Sequence, residues 1–242
     1  MKPIFGKDLS SVFNDKWGSY GGFAWPFLQK QVANRNAGAA RWLDLCCGTG
    51  AFLKIVSQNG FSATGVDLSR HQLAHARRNA PDAELLARDI RALSLNRKFD
   101  VITCLGDSLN YLTSDAELAQ VFRDVRECLP AKGLFMFDMM THEGLITHWR
   151  GTETIHEPRL TFIMEQSYDQ EKALGRYVFT GFVKEGKLFR RFREEHFERG
   201  YRGEEIEGLL AKAGLAFRKY DGYTLGRAKT LSERLLYVCG RG

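Results

Sequence analysis

The chain has 242 residues, of which 44% are hydrophobic and 26% are charged, and its net charge is +6 at pH 7. This length and composition are typical of a folded protein with a hydrophobic core, which excludes both global disorder and a small peptide scaffold. The sequence contains no uninterrupted apolar run of about 18 residues and no signal-peptide layout at its start, so we predict a cytoplasmic protein without a membrane span.

Short apolar runs alternate with amphipathic stretches between residues 41 and 139, a pattern typical of repeated β-α-β units on a parallel sheet. The predicted strands are residues 41–45, 63–66, 84–87, 99–104 and 134–138. The predicted helices between them are residues 51–58, 72–79 and 116–129. Ser114 or Asp115 can cap the last helix, because a short side-chain oxygen accepts hydrogen bonds from first-turn amides.

The pattern changes after residue 139. Period-two alternation and a β-rich composition predict antiparallel strands at residues 160–168, 176–183 and 188–197. The later part of the chain returns to the first pattern, with a helix at 204–213 ended by Gly214 and strands at 215–220 and 234–239.

These elements predict an α/β fold with a doubly wound, mostly parallel seven-stranded sheet. Residues 1–139 and 201–242 would form this domain. Residues 140–200 would form an inserted antiparallel β subdomain that covers one end of the sheet. Exposed apolar surface on the insertion would be compatible with a homodimer.

The segment Leu43-Asp-Leu-Cys-Cys-Gly-Thr-Gly50 joins a predicted strand to a helix through a glycine-rich turn. Glycines let the backbone approach a ligand closely, and a helix N-terminus offers free amides. A dinucleotide-binding loop would need a third glycine where Leu53 stands. Asp44 and Asp67, at the ends of two neighbouring strands, instead suit a ligand that carries a ribose and a cationic group.

The sequence resembles the class I S-adenosylmethionine-dependent methyltransferases. Residues 44–50 are similar to the first motif of that family, Asp67 to its ribose-binding carboxylate, and residues 88–90 to its adenine-binding motif. Residues 99–111 resemble its fourth motif, whose loop lies near the transferred methyl group. The resemblance implies the Rossmann-like methyltransferase fold, S-adenosylmethionine as cofactor and S-adenosylhomocysteine as product.

The resemblance also implies two sets of binding residues. Those expected at the cofactor are Asp44, Cys46, Gly48, Gly50, Asp67, Leu68, Asp89, Ile90, Cys104, Leu105 and Tyr20. Those expected at the acceptor are Asp107, Asn110 and Tyr111 of the fourth-motif loop, with a turn cap as the alternative for Asn110. Trp149 is a further candidate for the acceptor site by its position, and core packing or exposure is an equally good interpretation. Tyr20 stands where the N-terminal segment of the family closes over the cofactor, although anchoring of an N-terminal helix is an equally good interpretation.

Several features favour a small-molecule acceptor over nucleic acid. The fourth-motif loop lacks the prolines of base methyltransferases, and basic residues are spread evenly over the chain. The basic run 187–193 alternates with aromatic residues, which favours a solvated strand face over the alternative of a phosphate-binding patch. The insertion resembles the branch that includes aminosugar N-methyltransferases and glycine N-methyltransferase. An amine nitrogen is therefore the leading hypothesis, with oxygen or carbon acceptors, an RNA-directed methyltransferase and a non-catalytic cofactor-binding module as alternatives.

Methylation of an amine benefits from a nearby base, because a protonated amine has no free lone pair. His142, just after the fifth strand, and His196, in the insertion, are candidate bases, and Tyr20 is a third candidate catalytic residue. An ordinary hydrogen-bonded histidine is the alternative for both histidines. The five cysteines include no C-x-x-C pair, so neither a disulfide framework nor a metal site is expected.

Overall fold

The computed structural model describes residues 5–35 and 41–242. Residues 1–4 and 36–40 lie outside the described residues, so the start of the segment in which we expect no signal peptide is among them. The helices are α1 (Lys7–Lys16), α2 (Tyr20–Asn34), α3 (Ala51–Gln58), α4 (Arg70–Asn79), α5 (Asp115–Cys128), α6 (His142–His148) and α7 (Gly203–Lys212). The strands are β1 (Arg41–Leu45), β2 (Ser62–Asp67), β3 (Glu84–Ala87), β4 (Val101–Cys104), β5 (Leu134–Met140), β6 (Gly151–Glu157), β7 (Leu160–Asp169), β8 (Leu174–Glu185), β9 (Leu188–Arg199), β10 (Leu215–Asp221) and β11 (Arg234–Arg241).

The central sheet has seven strands in the order β10-β11-β5-β4-β1-β2-β3. The five strands from β1 to β5 are parallel, and β11 runs antiparallel to both β5 and β10. All seven residues of β5 are buried, as expected for a central strand covered on both faces. The strand order reverses between β1 and β4, which is where open α/β sheets bind ligands at the carboxyl ends of their strands.

The second sheet is antiparallel, in the order β6-β7-β8-β9. Helix α1 packs on one face of it through an apolar cluster of Leu9, Val12, Phe162, Met164 and Phe179. The predicted doubly wound sheet with an inserted antiparallel subdomain is therefore confirmed. None of the helices within the two described ranges is long and apolar enough to cross a membrane.

Gly50 connects the glycine turn to α3 with a φ of +77°, and an added Cβ would lie 2.9 Å from the Cα of Ala76. We expect Gly50→Ala to lower the free energy of unfolding by roughly 2 kcal/mol or more, because left-handed backbone strain and overpacking add together. Gly60→Ala is the matched control: its φ is +85°, but no described atom lies within 4 Å of the new Cβ. Urea denaturation should show a clearly smaller loss for Gly60→Ala, and equal losses would contradict the packing argument.

Candidate functional site

A cavity of about 770 Å³ lies between the carboxyl ends of the parallel strands, α1 and the inner face of the second sheet. This volume is in the range of small-molecule binding sites. Most of the predicted site residues line it: Tyr20, Asp44, Cys46, Gly48, Asp67, Leu68, Asp89, Ile90, Leu105, Asp107, Tyr111 and Trp149. The sheet topology thus brings the predicted cofactor and acceptor residues together in one space.

Asp67, at the end of β2, holds the glycine turn in place. Its Oδ2 accepts a hydrogen bond from the Gly48 amide at 2.9 Å, and its Oδ1 accepts one from the Ser69 amide at 2.8 Å. Burial raises the pKa of Asp67, while these amides oppose the shift. Each carboxylate oxygen has a further lone pair, so Asp67 can also accept hydrogen bonds from a ligand diol.

Asp44, at the same edge of the sheet, lies at the end of a hydrogen-bonded chain. The Trp42 indole donates to the Thr103 hydroxyl at 3.0 Å, and that hydroxyl donates to Asp44 Oδ1 at 2.7 Å. Burial raises the pKa of Asp44 to about 7. A cationic ligand group beside Asp44 would stabilise its charged form and lower that pKa.

We expect Asp44→Asn to stabilise the protein at pH 8 by more than about 1 kcal/mol, since each pKa unit corresponds to about 1.4 kcal/mol. The pKa of Asp44 is higher in the folded protein than in the unfolded chain. The stability that protonated Asp44 contributes to the folded state is therefore fully present below pH 4 and is lost as the pH rises to about 7. Urea denaturation at pH 4.5 and pH 8 checks this: the stability difference between variant and wild type should grow with pH. A constant difference would contradict the buried charge.

Gln72, in the first turn of α4, is a cavity residue that sequence reasoning missed. Its Oε1 is buried and accepts no hydrogen bond from any residue in 5–35 or 41–242. An added Cβ at Gly48 would lie 3.6 Å from this oxygen, so the glycine leaves the space beside it open. No periodicity or motif distinguishes this glutamine from an ordinary polar residue at a helix start.

These residues fit S-adenosylmethionine, the cofactor that the resemblance implies. The acceptors at half-buried Asp67 and buried Gln72 match the hydroxyl and ammonium donors of such a ligand. Leu68 and Ile90 offer apolar surface to an aromatic base. Asp89 caps a short 3-10 helix by accepting the Arg91 amide at 2.9 Å, and the Arg91 guanidinium beside it lowers its pKa.

The opposite half of the cavity contains a buried ion-pair cluster around Arg234 of β11. The Arg234 guanidinium donates to Asp138 at 2.7 Å and lies 3.1 Å from the carboxylate of Asp107. It also stacks over the Tyr20 ring at 4.3 Å, while the Tyr20 hydroxyl donates to the Gly222 carbonyl at 3.0 Å. Sequence reasoning identified Tyr20 and Asp107 but missed Arg234 and Asp138. The pairing of β4 with β5 places Asp138 beside the fourth-motif loop, and the pairing of β11 with β5 brings Arg234 to it.

A second missed acid, Glu198 of β9, lines this same half of the cavity. Only 5% of the residue is exposed. Burial is the main cause that raises the pKa of Glu198 well above its ordinary value, and the Asp107 carboxylate adds to the increase. The rings of Tyr111, Trp149 and Tyr177 line the cavity beside it. We call the part of the cavity lined by Asp107, Glu198 and these three rings the acceptor half.

Three predicted binding residues do not line the cavity. Gly50 caps α3, and Cys104 is fully buried behind Cys46, whose thiol it contacts. Asn110 is also fully buried: its amide donates to the carbonyls of Met140 and Arg199 at 2.8 and 2.7 Å, and its Oδ1 accepts the Met140 amide. Asn110 therefore joins the fourth-motif loop to β5 and β9, and its internal hydrogen bonds give no support to the expected contact with the acceptor.

Neither candidate histidine base lines the cavity. His142, the first residue of α6, is buried with its Nδ1 at 2.6 Å from the Tyr168 hydroxyl. This is the ordinary hydrogen-bonded alternative, so a direct catalytic contact for His142 is not supported. His196 is also buried, but its Nδ1 lies 2.9 Å from the hydroxyl of Tyr111, which does line the cavity.

The sequence of this chain is similar to sequences of known methyltransferases. Residues 43–133 match a family model described as "Methyltransferase domain". The dTDP-3-amino-3,4,6-trideoxy-alpha-D-glucopyranose N,N-dimethyltransferase of Streptomyces venezuelae is 27% identical over 198 residues, which cover 81% of this chain and 84% of the relative. The matched model spans the glycine turn, Asp67 and the fourth-motif loop.

Solved structures give the same result. The S-adenosylmethionine-dependent methyltransferase from Clostridium acetobutylicum ATCC 824 has a TM-score of 0.86 and 26% identity, covering 97% of this chain and 98% of that chain. The sugar N-methyltransferase KedS8 from Streptoalloteichus sp ATCC 53650 has a TM-score of 0.79 and 23% identity, covering 100% of this chain and 97% of that chain. The second likeness concerns the fold alone.

Proposed function

Because the chain is a class I S-adenosylmethionine-dependent methyltransferase, we propose that it methylates an amine nitrogen of a small-molecule acceptor. The observation that carries this proposal is the acceptor half, where two carboxyl groups, Asp107 and Glu198, stand among aromatic rings. Carboxylates and aromatic faces both attract a cation, and an amine acceptor arrives largely as an ammonium ion. Arg234 pairs with Asp107 and Asp138, so these three groups together keep one net negative charge when both aspartates are ionised.

The cover over the cavity supports a small acceptor rather than a polymer. Helix α1 is held to the second sheet by the Gly6 amide, which donates to Glu194 at 3.0 Å, and by Arg190, which pairs with Asp8 at 2.7 Å. The Ser69 hydroxyl ties the Phe5 carbonyl to the β2 end at 2.6 Å. The acceptor must therefore fit beneath this cover. The relative from Streptomyces venezuelae is named as an N,N-dimethyltransferase of an amino sugar linked to dTDP, which is also a small amine.

Two parts of the chain would have different functions. In the proposed division, residues 1–139 and 201–242 bind the cofactor, and residues 140–200 cover the acceptor. Met164, Tyr177 and Glu198 of the second part line the cavity, in support of this division. Helix α1 belongs to the first part in this division, but it packs on the second sheet.

S-adenosylmethionine supplies a methyl group on a positively charged sulfur, so little covalent chemistry is required of the protein. Asp67 and the glycine turn would fix one end of the ligand. The acceptor half would orient the amine toward the methyl group, and the aromatic rings would exclude water. Orientation of this kind supplies much of the rate enhancement in two-substrate reactions.

The test is methyl transfer from S-adenosylmethionine with a radioactive methyl group to matched acceptors. The panel contains dTDP-3-amino-3,6-dideoxy-glucose, its 3-hydroxyl counterpart, glycine, a fractionated small-metabolite extract and total RNA. Label in an amine but not in the hydroxyl counterpart supports the proposal. Label in RNA favours the RNA-directed alternative, and bound cofactor without label in any fraction favours the non-catalytic one.

A further inference from the structure

Glu198 has an unsatisfied oxygen in the cavity wall. Oε2 is buried, and the part of the chain that the structure describes provides it with no hydrogen-bond partner. The carboxyl group lies against the Tyr111 hydroxyl, and both residues line the acceptor half. A buried polar atom without a partner is costly, by about 1–3 kcal/mol and more for a charged group, so this oxygen is placed to receive a hydrogen bond from a ligand.

A chain of hydrogen bonds supports Glu198 from behind. The Tyr111 hydroxyl lies 2.9 Å from His196 Nδ1, and His196 Nε2 lies 3.4 Å from Glu194 Oε2. When Glu198 is charged, Tyr111 can donate to it while His196 donates its Nδ1 hydrogen to the Tyr111 oxygen. His196 therefore acts through Tyr111 and is a positioning residue, which explains why a histidine in this strand is buried without reaching the cavity.

The charges that face Glu198 come from several elements. Asp107, in the fourth-motif loop, raises the pKa of Glu198 together with burial, whereas Arg234 of β11 and the hydrogen bond from Tyr111 oppose the increase. Tyr177 and His196 are the other titratable neighbours on this side of the cavity. A carboxyl group with a raised pKa is a better proton acceptor near neutral pH than an ordinary glutamate.

We infer that Glu198 is a catalytic residue that removes a proton from an ammonium acceptor, an inference that rests on the proposed amine methylation. The nitrogen–hydrogen bond breaks, the proton binds Glu198 Oε2, and the nitrogen keeps the electron pair. That pair forms the bond to the methyl carbon while the carbon–sulfur bond breaks and sulfur keeps its electrons. The proton returns to solvent from Glu198 after the product leaves. An alcohol is a far weaker acid than an ammonium ion and gives up its proton to a carboxylate much less readily, so Glu198 favours primary and secondary amines over hydroxyl acceptors.

The first test is Glu198→Gln with the amine that the labelling panel identifies. We expect kcat to fall by about 100-fold or more, as is typical on loss of a general base. The remaining activity should rise about tenfold per pH unit below the acceptor pKa, because the variant depends on amine that is already neutral in solution. Calorimetric titration should show unchanged S-adenosylmethionine affinity. Glu165→Gln, an exposed glutamate of β7, is the matched control and should behave as the wild type.

A second test needs no knowledge of the acceptor. Dimethylammonium chloride and propan-2-ol, a neutral molecule of similar shape, are titrated into the complex with S-adenosylhomocysteine while tryptophan fluorescence is followed. Trp17 and Trp149 both line the cavity and report on binding. The wild type should bind the cation and not the alcohol, and Glu198→Gln should bind the cation at least about tenfold more weakly, the loss of one charged hydrogen bond.

The outcomes separate the two proposals. Label in hydroxyl acceptors would contradict amine methylation itself. An amine that wild type and Glu198→Gln methylate at equal rates, with the same pH profile, would overturn only the role of Glu198. Equal binding of dimethylammonium by both proteins would do the same. The methylation rate and the dimethylammonium affinity of Tyr111→Phe should lie between those of the wild type and Glu198→Gln, because this variant removes the donor to Glu198 and keeps the carboxylate.

Discussion

Replacing Asp67 with alanine will weaken S-adenosylmethionine binding by about 100-fold or more. A charged hydrogen bond to a ligand contributes about 1.5–3 kcal/mol, and the carboxylate of Asp67 can make two such bonds to a ribose diol. The substitution also releases the Gly48 and Ser69 amides, which Asp67 now holds at 2.9 and 2.8 Å. The glycine turn would then lose the conformation that faces the ligand.

Asp67→Asn separates these two effects, because the amide oxygen can still accept one backbone hydrogen bond while the charge is lost. We expect an intermediate loss of affinity by isothermal titration calorimetry. Asp82→Ala, an exposed aspartate after α4, is the matched control and should leave the affinity unchanged. Wild-type affinity in a folded Asp67→Ala protein would show that this carboxylate does not bind the ribose.

The parallel part of the fold was predictable because each buried strand is a short apolar run between turn residues. Strands β1 and β3 begin and end as predicted from the sequence. Strand β6 was not predicted, because it is an edge strand with nearly every residue exposed and only Ile155 as a large apolar side chain. Helix α2 was also not predicted: Gly21, Gly22 and Pro26 disfavour a helix locally, and contact with the core compensates.

The residues predicted to bind the cofactor could be found for a related reason, because they follow one another at the ends of consecutive strands. The acceptor half is different, because Glu198 and Arg234 come from β9 and β11, far from the fourth-motif loop in sequence. Their neighbours in the chain alternate like those of any half-buried strand. The sequence feature that could have identified Glu198 is a charged residue at an inward-facing position of this strand, on the same face as His196.

Replacing Arg234 with methionine will destabilise the folded protein by about 3–5 kcal/mol at pH 8, because removing one partner of a buried ion pair leaves the other charge uncompensated. Asp138 is fully buried and Asp107 is partly so, and the Arg234 guanidinium compensates both. Arg218→Met, at an exposed position of β10, is the control and should change the stability by less than about 0.5 kcal/mol.

The pH dependence of this loss identifies its cause. Burial already raises the pKa of Asp138, and Arg234 opposes that increase, so the variant will raise the pKa further. A folded carboxyl with a raised pKa binds more protons than the unfolded chain, and stability then falls as the pH rises through that range. The penalty of Arg234→Met should therefore shrink when urea denaturation is repeated at pH 5.5, where Asp138 can become neutral. Adding Asp138→Asn should recover part of the lost stability at pH 8. A penalty that is equal at both pH values and is not reduced by Asp138→Asn would indicate that Arg234 stabilises the protein by packing on Tyr20 rather than by its charge.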